Sequence, residues 1–361
     1  MENLLVSVVI PSYNRATLIK ETLNSILIQT YPTWEAIIVD DGSTDNSLAV
    51  LKAFSEKDNR IKYYRRGAGS VKGAPSCRNI GLSYAKGEYV IFLDSDDLLA
   101  PWCLESRVEM MGKHKELDFG VFPGITFINT PGDTDKLWNE FNNSDDLKRF
   151  ISGDGPWQTA SPIWKRQCLR QVGEWEESVL RMQDWEFHIR AILKGLTYSK
   201  FDILPDLFIR RENNDSISSN AYSQLKLLSV INVVVNVIKQ LDQKSLLSNQ
   251  FKKYLSGYLF RAAENIIIHN VAIDVKEVLK IIDTYKLWSK ADYLLASNYL
   301  YLLKFCKNNG IKFLAGASYR AVRVILPSYF TLSNNTHCKT KLPKAEFNKL
   351  IENYKNGMLS S

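Results

Sequence analysis

Through residue 219, short apolar runs alternate with stretches whose apolar residues recur at helical spacing; beyond it, the helical spacing continues alone. Residues 6–10, Val-Ser-Val-Val-Ile, are β-rich and predict a first strand. Pro11-Ser12-Tyr13-Asn14 punctuates it, and Leu18, Ile19, Leu23, Ile26 and Leu27 then mark a helix that ends at Tyr31-Pro32. Residues 35–39 predict a second strand closing on Asp40-Asp41-Gly42-Ser43-Thr44-Asp45, where Ser43, Thr44 or Asp45 can cap the next helix. Residues 61–64 read as a third strand, followed by a glycine-rich loop, a helix over 74–85, and a fourth strand at Val90-Ile91-Phe92-Leu93. Four apolar residues in a row suit a strand walled on both faces. The βα alternation implies right-handed crossovers and a mostly parallel sheet, whose ligands bind beyond the carboxyl ends of the strands. Tyr13, Asp40 and Asp94 stand at such ends.

Residues 119–128 predict a strand pair, and the polar stretch 129–155 a loop around a short helix. Residues 161–164 and 198–203 read as strands, 165–172 and 182–193 as helices, and 206–211 leads into a turn at 212–219. Helical spacing then runs through 225–241, 254–268, 275–285 and 291–305, with no proline between 206 and 326. The expected organisation is an α/β unit over 1–219, with a nucleotide-binding half over 1–100 and an acceptor half over 101–219, followed by an all-helical part over 220–361.

At 361 residues the chain is long enough for two units with sizeable cores. No run reaches the ~18 apolar residues of a spanning helix, and the first apolar run is too short and lacks the basic flank of a secretory leader. Five cysteines, an odd number without CxxC spacing, point to reduced thiols in a cytosol. The net charge of +7 is uneven: residues 1–219 carry 26 Lys and Arg against 31 Asp and Glu, residues 220–361 carry 20 against 8. Such a basic C-terminal part either meets an anionic neighbour, such as a membrane leaflet or acidic polymer, or presents solvated lysine-rich helix faces. Residues 311–330, with Lys312, Arg320 and Arg323 among apolar side chains, fit either a helix lying on an anionic leaflet or one packed on its neighbours. Nucleic acid is not an expected partner.

The fourth strand runs into Asp94-Ser95-Asp96-Asp97. In extended geometry Asp94 and Asp96 share a face, and two carboxylates there repel unless a cation neutralises them. Hard oxygen ligands favour Mg²⁺ or Mn²⁺, ions that commonly bring phosphates with them; an acidic turn without metal is the plain alternative. Gly67-Ala-Gly-Ser-Val-Lys-Gly73 lacks the spacing of a dinucleotide loop, no acidic residue follows at the required distance, and Pro75 intrudes on the first turn of the next helix. There is no Walker pattern and no Ser/His/Asp or Cys/His signature.

Taken together, four stretches resemble family 2 glycosyltransferases of the GT-A fold: Val6-Ser-Val-Val-Ile-Pro-Ser-Tyr-Asn-Arg15, Val39-Asp-Asp-Gly-Ser-Thr-Asp45, Cys77-Arg-Asn-Ile-Gly81 and Gly87-Glu-Tyr-Val-Ile-Phe-Leu-Asp-Ser-Asp-Asp97. A weaker fifth, Gln183-Asp-Trp-Glu-Phe187, falls where that family has its acceptor-side motif. The resemblance covers about residues 1–219. It implies that Pro11, Tyr13, Arg15 and Asp40 hold the base and ribose of a nucleotide-sugar and that Arg78 lies near the sugar or phosphates. It implies further that Asp94, Ser95 and Asp96 form a DxD motif in which Asp96 ligates Mn²⁺ or Mg²⁺. Asp94 would contact the ribose or complete the metal shell.

A sugar hydroxyl needs a general base, and Asp184 matches the family's. Trp157 and Trp185 are candidate acceptor contacts through ring stacking. Glu186, turned from the face that Asp184 shares with His188, joins them. Two departures stand out: Gln183 where the family often has Glu, and Asn213 where a metal-binding His is common. The implied activity is inverting transfer of a hexose or N-acetylhexosamine, from a UDP-sugar above all, to a glycan or lipid-linked acceptor in surface polysaccharide synthesis. The enzyme would be cytoplasmic or peripheral at the inner face of the membrane. Two rivals remain. A sugar nucleotidyltransferase would want a Gly- and Arg-rich signature where this chain has Pro-Ser-Tyr-Asn. A non-catalytic nucleotide-sugar or glycan-binding module would bind a donor without turnover.

Overall fold

The expected alternation forms. A computed structural model describes residues 4–142, 144–211, 222–311 and 338–359; Asn213 and nearly all of the basic segment 311–330 lie outside them. Strands β1 (Val6–Ser12), β2 (Trp34–Asp40), β3 (Ile61–Arg65) and β4 (Tyr89–Phe92) are separated by helices α1 (Leu18–Leu27), α2 (Ser47–Lys57) and α3 (Ala74–Tyr84). They lie parallel in the order β3-β2-β1-β4. Pro75 falls in the first turn of α3. The helix expected over 74–85 thus starts with the proline inside it, where its missing N–H is one of the unpaired donors in any case. The helix packs so close to β1 that a Cβ on Gly81 would strike the Val9 side chain.

β5 (Leu98–Leu99) and α4 (Cys103–Lys113) follow, then β6 (Phe119–Val121) and β7 (Gly124–Phe127). These last two are the strands expected over 119–128, but they do not pair with each other. β6 joins the main sheet, and β7 joins a small second sheet ordered β5-β10-β7, where β10 is the later strand Leu207–Arg210. Pro123 between them has no N–H to continue a ladder, so the chain changes sheet there. After α5 (Asp146–Ser152), strand β8 (Pro162–Lys165) lies antiparallel between β4 and β6. Helices α6 (Arg166–Val172) and α7 (Gln183–Leu193) lead to β9 (Tyr198–Lys200), beside β6, and to β10 (Leu207–Arg210). The main sheet thus has seven strands of mixed direction.

Both faces of that sheet are buried, which explains the unbroken apolar runs. Val8, Ile10, Ile38 and Ile91 pack with α1 and α4 on one side. Val9, Ile37, Val90 and Phe92 face the other. This second core continues without a break into α8 (Gln224–Gln243), α9 (Asn249–Ile268), α10 (Val275–Thr284) and α11 (Lys290–Asn308). Serines at 223, 248 and 289 and Asp274 each accept a backbone N–H at the start of their helix. Among the described residues α8 is the helix long and apolar enough to cross a membrane; here Leu227, Ile231, Val234 and Ile238 are buried in the shared core. A last helix, α12 (Lys344–Leu359), unforeseen in the sequence, returns to the small sheet, where Leu342, Leu350 and Tyr354 pack with Phe127 and Phe208.

One buried ion pair ties the two sheets together. Arg107 of α4 donates from Nε and Nη2 to Asp206 at 2.8 and 2.6 Å and from Nη1 to the Ala160 carbonyl at 2.8 Å, with both charged side chains fully buried. Removing one partner strands the other's charge in the core. Asp206→Ala should therefore destabilise the protein by about 3–5 kcal/mol in denaturant unfolding, whereas replacing an exposed pair such as Lys113 and Glu109 should cost less than about 1 kcal/mol.

Candidate active site

The carboxyl ends of β1, β2 and β4 open into a crevice of about 770 Å³. Along one wall run Pro11, Tyr13 and Arg15. Asn14 between them is left-handed (φ 50°), and its side-chain oxygen accepts the Thr44 N–H at 2.8 Å, which locks the segment to the start of α2. Tyr13 is 42% exposed, with the Lys72 ammonium 3.9 Å above its ring. The glycine-rich loop therefore closes over the crevice edge.

Asp40 and Asp41 have different surroundings. Asp40 is fully buried and accepts the N–H groups of Gly42 and Ser43 at 3.0 Å, so its carboxylate builds the turn. Asp41 lines the crevice and pairs with Arg66. The sequence pointed to Asp40, from its place at a strand end and from the family resemblance, and passed over its neighbour, because neither signal tells which of two adjacent carboxylates the turn takes up.

The acidic stretch is not extended. β4 ends at Phe92, and residues 94–97 form a turn closed by the Asp97 N–H on the Asp94 carbonyl at 3.2 Å. The shared-face reasoning from strand geometry thus fails, yet Asp94, Ser95 and Asp96 all line the crevice. Asp97 points inward and accepts the Arg210 N–H at 2.9 Å. Burial first, then the charges of Asp96 and Asp94, push its carboxyl well above the usual range. Asp96 keeps a loose contact to Arg15 at 3.8 Å.

Arg78 crosses the crevice floor. Rising from α3, its guanidinium donates to Asp94 at 2.7 Å and to the Gln183 side chain at 3.0 Å, and it sits 4.6 Å over Trp175. It therefore links the acidic turn to the start of α7. Met182, just before that helix, is left-handed at φ 62°, an uncommon conformation for a residue with a Cβ. Asp184 follows in the first helical turn, lining the crevice. Its carboxyl is pushed up by burial and also by Asp94, against the Trp185 N–H it accepts at 2.9 Å and the charge of Arg78.

The acceptor candidates separate. Glu186 is buried in a bidentate pair with Arg190 at 2.7 and 2.9 Å and reaches neither cavity. Trp157 and Trp185 are buried but line a second cavity of about 360 Å³ that shares Arg181, Met182 and Asp184 with the crevice. His188 lies among Trp157, Trp164 and Phe150, its Nδ1 without a partner. Crevice residues that sequence reasoning missed include Lys72, Arg181 and Lys226. The first belongs to a glycine-rich loop from which no residue was singled out, and the last to a helix that lies beyond the motif stretches.

A divalent ion carried in by a diphosphate fits this donor set. Asp94 and Asp96 offer hard oxygens to the crevice, while among the described residues no group of three His, Cys, Asp or Glu side chains could hold a metal alone. Mg²⁺-type sites commonly combine one or two carboxylates with substrate phosphates.

The profile of Glycosyl transferase family 2 matches residues 7–161. The glycosyltransferase TuaG of Bacillus subtilis, linked by its name to teichuronic acid biosynthesis, is 45% identical over 232 residues, which are 62% of this chain and 84% of TuaG. WfgD of Escherichia coli, named as a UDP-Glc:alpha-D-GlcNAc-diphosphoundecaprenol beta-1,3-glucosyltransferase, is 41% identical over 114 residues, 32% of this chain and 44% of WfgD. The chain spans 20% of a longer glycosyltransferase of Rickettsia conorii, at 42% identity over 129 residues. Among solved structures, residues 1–349 of S. aureus TarS in complex with UDP-GlcNAc superpose with a TM-score of 0.61, covering 90% of this chain and 91% of that one at 21% identity.

His188 offers a direct check of the local packing. Burial pushes its imidazole down to about 3, while an unfolded chain titrates near 6.5. The unfolded state thus binds the extra proton between these values, so this contribution is whole above about 6.5 and is lost as pH falls. His188→Phe should flatten the acid-side slope of stability by up to about 1.4 kcal/mol per pH unit, measured as the wild-type minus variant difference in unfolding free energy.

Proposed function

The chain belongs to glycosyl transferase family 2 and has the α/β architecture of the GT-A fold, and we propose that it transfers a hexose or N-acetylhexosamine with inversion from a UDP-sugar to a glycan or lipid-linked glycan. The observation that carries the reading is the position of Asp184. It stands where the crevice holding the Asp94–Asp96 turn meets the second cavity, as a base between donor and acceptor must. In this reading Pro11, Tyr13 and Arg15 hold the nucleoside, with Asp41 in the place first given to Asp40. Arg78 and Asp94 fix the diphosphate end, and Asp96 is the principal ligand of Mn²⁺ or Mg²⁺. The ion, when bound, would offset the negative charge on the leaving diphosphate.

The protein's own part is one displacement. Arg78, held by Asp94 and Gln183, presents a fixed positive charge to the donor. Asp184, on the opposite side of the reacting carbon, takes the proton of the acceptor hydroxyl as that oxygen forms the new bond. Burial that raises the Asp184 carboxyl also makes it a stronger base.

The donor class is supported by the UDP-GlcNAc complex of TarS and by the name of WfgD, and the acceptor class by the names of WfgD and TuaG. The division at residue 219 then reads as catalytic α/β unit and helical partner. The excess positive charge of 220–361 would suit an anionic inner leaflet, where lipid-linked sugars reside; flotation with anionic vesicles should recover the protein, and no recovery would count against that placement.

Asp184→Asn should lower kcat by about 10²–10⁴ while UDP affinity stays within a factor of two to three, by stopped assay and calorimetry. A loss of UDP affinity would put Asp184 on the donor side. Asp96→Ala should abolish the strengthening of UDP binding by Mn²⁺, whatever the acceptor. In wild type, kcat/KM should fall on the acid side at a pH above the ~4 of an ordinary carboxylate, because the base must be ionised and its carboxyl is shifted up.

A further inference from the structure

The second cavity has two owners. Trp157 and Trp185 come from the α/β part, whereas Tyr258, Arg261 and Asn265 come from α9. These three are spaced i, i+3 and i+7, so one helix face forms the wall. The Trp185 and Tyr258 rings meet at 5.6 Å between centroids, and the Trp185 Nε1 donates to the Phe150 carbonyl at 2.6 Å, which fixes the indole. The volume lies within the range of small-molecule sites, about 300–1,000 Å³.

Charge on this wall is one-sided. Among the described residues that line it, Arg181 and Arg261 stand beside one carboxylate, Asp184, which the proposed reaction already uses. Arg261 is exposed and makes no ion pair among the described residues; the nearby Glu264 accepts the Tyr299 hydroxyl at 2.8 Å. Its charge is felt at the Tyr258 hydroxyl. The Asn265 Nδ2 is spent on the Arg261 carbonyl at 2.9 Å, which leaves the amide oxygen to accept a hydroxyl. A planar guanidinium with five donors matches a phosphate or carboxylate in a way that solvent alone does not.

We propose that this cavity is the acceptor subsite, that its outer wall is supplied by α9, and that Arg261 selects acceptors whose sugar carries an anionic group. The sugar ring lies along the aromatic wall with its hydroxyl toward Asp184, and the anion meets Arg261. This rests on reading Asp184 as the base, and it goes further by naming what the acceptor must carry. Two sources share that chemistry, a sugar diphosphate and a uronic acid.

Calorimetry on the full chain, saturated with UDP so that the crevice is filled, separates them. Three probes are titrated: an α-N-acetylglucosaminyl diphosphate with a short phenoxyalkyl tail, p-nitrophenyl β-D-glucuronide, and the neutral p-nitrophenyl β-D-glucoside. Wild type should bind at least one charged probe tenfold or more tightly than the neutral one. Which charged probe it is identifies the source of the anion. Arg261→Ala should erase that preference and Arg261→Lys retain part of it, with UDP affinity and unfolding midpoint unchanged in both. Equal affinity for all three probes in wild type, absence of binding included, would overturn the proposal, as would a preference that survives Arg261→Ala. Failure to bind UDP at all is a separate outcome. It would remove the donor reading of the crevice, and the probe series repeated without UDP would still decide the charge preference of the cavity.

Discussion

A single guanidinium holds the site in register. Arg78 is reached by the acidic turn after β4 and by the first residue of α7, two pieces of chain that the sheet alone would leave independent. Trp175 beneath it removes water from one face of the group, so its two hydrogen bonds are made in a low-dielectric setting where a misplaced partner is costly. The acidic turn and the start of α7 therefore share one reference point, and the distance between Asp94 and Asp184 follows from it. Lysine could not do this, because a point charge has no fork to span two partners.

Much of this architecture was legible in the chain. Buried parallel strands announce themselves as unbroken apolar runs, and each of the first four strands and the helices between them formed within a few residues of the expected bounds. The departures share a physical cause: local pattern says that a segment is extended, not what it pairs with. β6 and β7 read as partners but part at Pro123. The return of α12 depends on contacts between Tyr354 and Phe208, which no local periodicity could reveal. At the site, the motifs led to Asp94, Asp96, Arg78 and Asp184 and to one shared crevice. They missed Asp41 because a motif does not show that Asp40 spends its carboxylate on the turn and leaves the next one to the crevice. They missed Arg261 because an arginine on a solvated-looking helix carries no signal until the helix is placed.

The two cores divide the work between rigidity and reach. The one under α1 and α4 anchors the strands whose ends form the larger crevice, and the Arg107–Asp206 pair locks the small sheet to it. The other runs from Phe92 and Trp164 to α8 and α9 and places a helix wall opposite Asp184. Met182, strained between them, sits where the two cavities join. Strain of that kind persists only where surrounding packing over-determines the backbone.

That continuous core also sets a limit on modularity. Because the described helices α8 to α11 share one apolar core with the α/β part, exchanging them wholesale between relatives would leave mismatched surfaces on both sides of the seam. Single changes on the outward face of α9 carry no such penalty. A lineage or an engineer reshaping the second cavity thus has a short path, through a few solvent-side positions on one helix, and the larger crevice need not change along it.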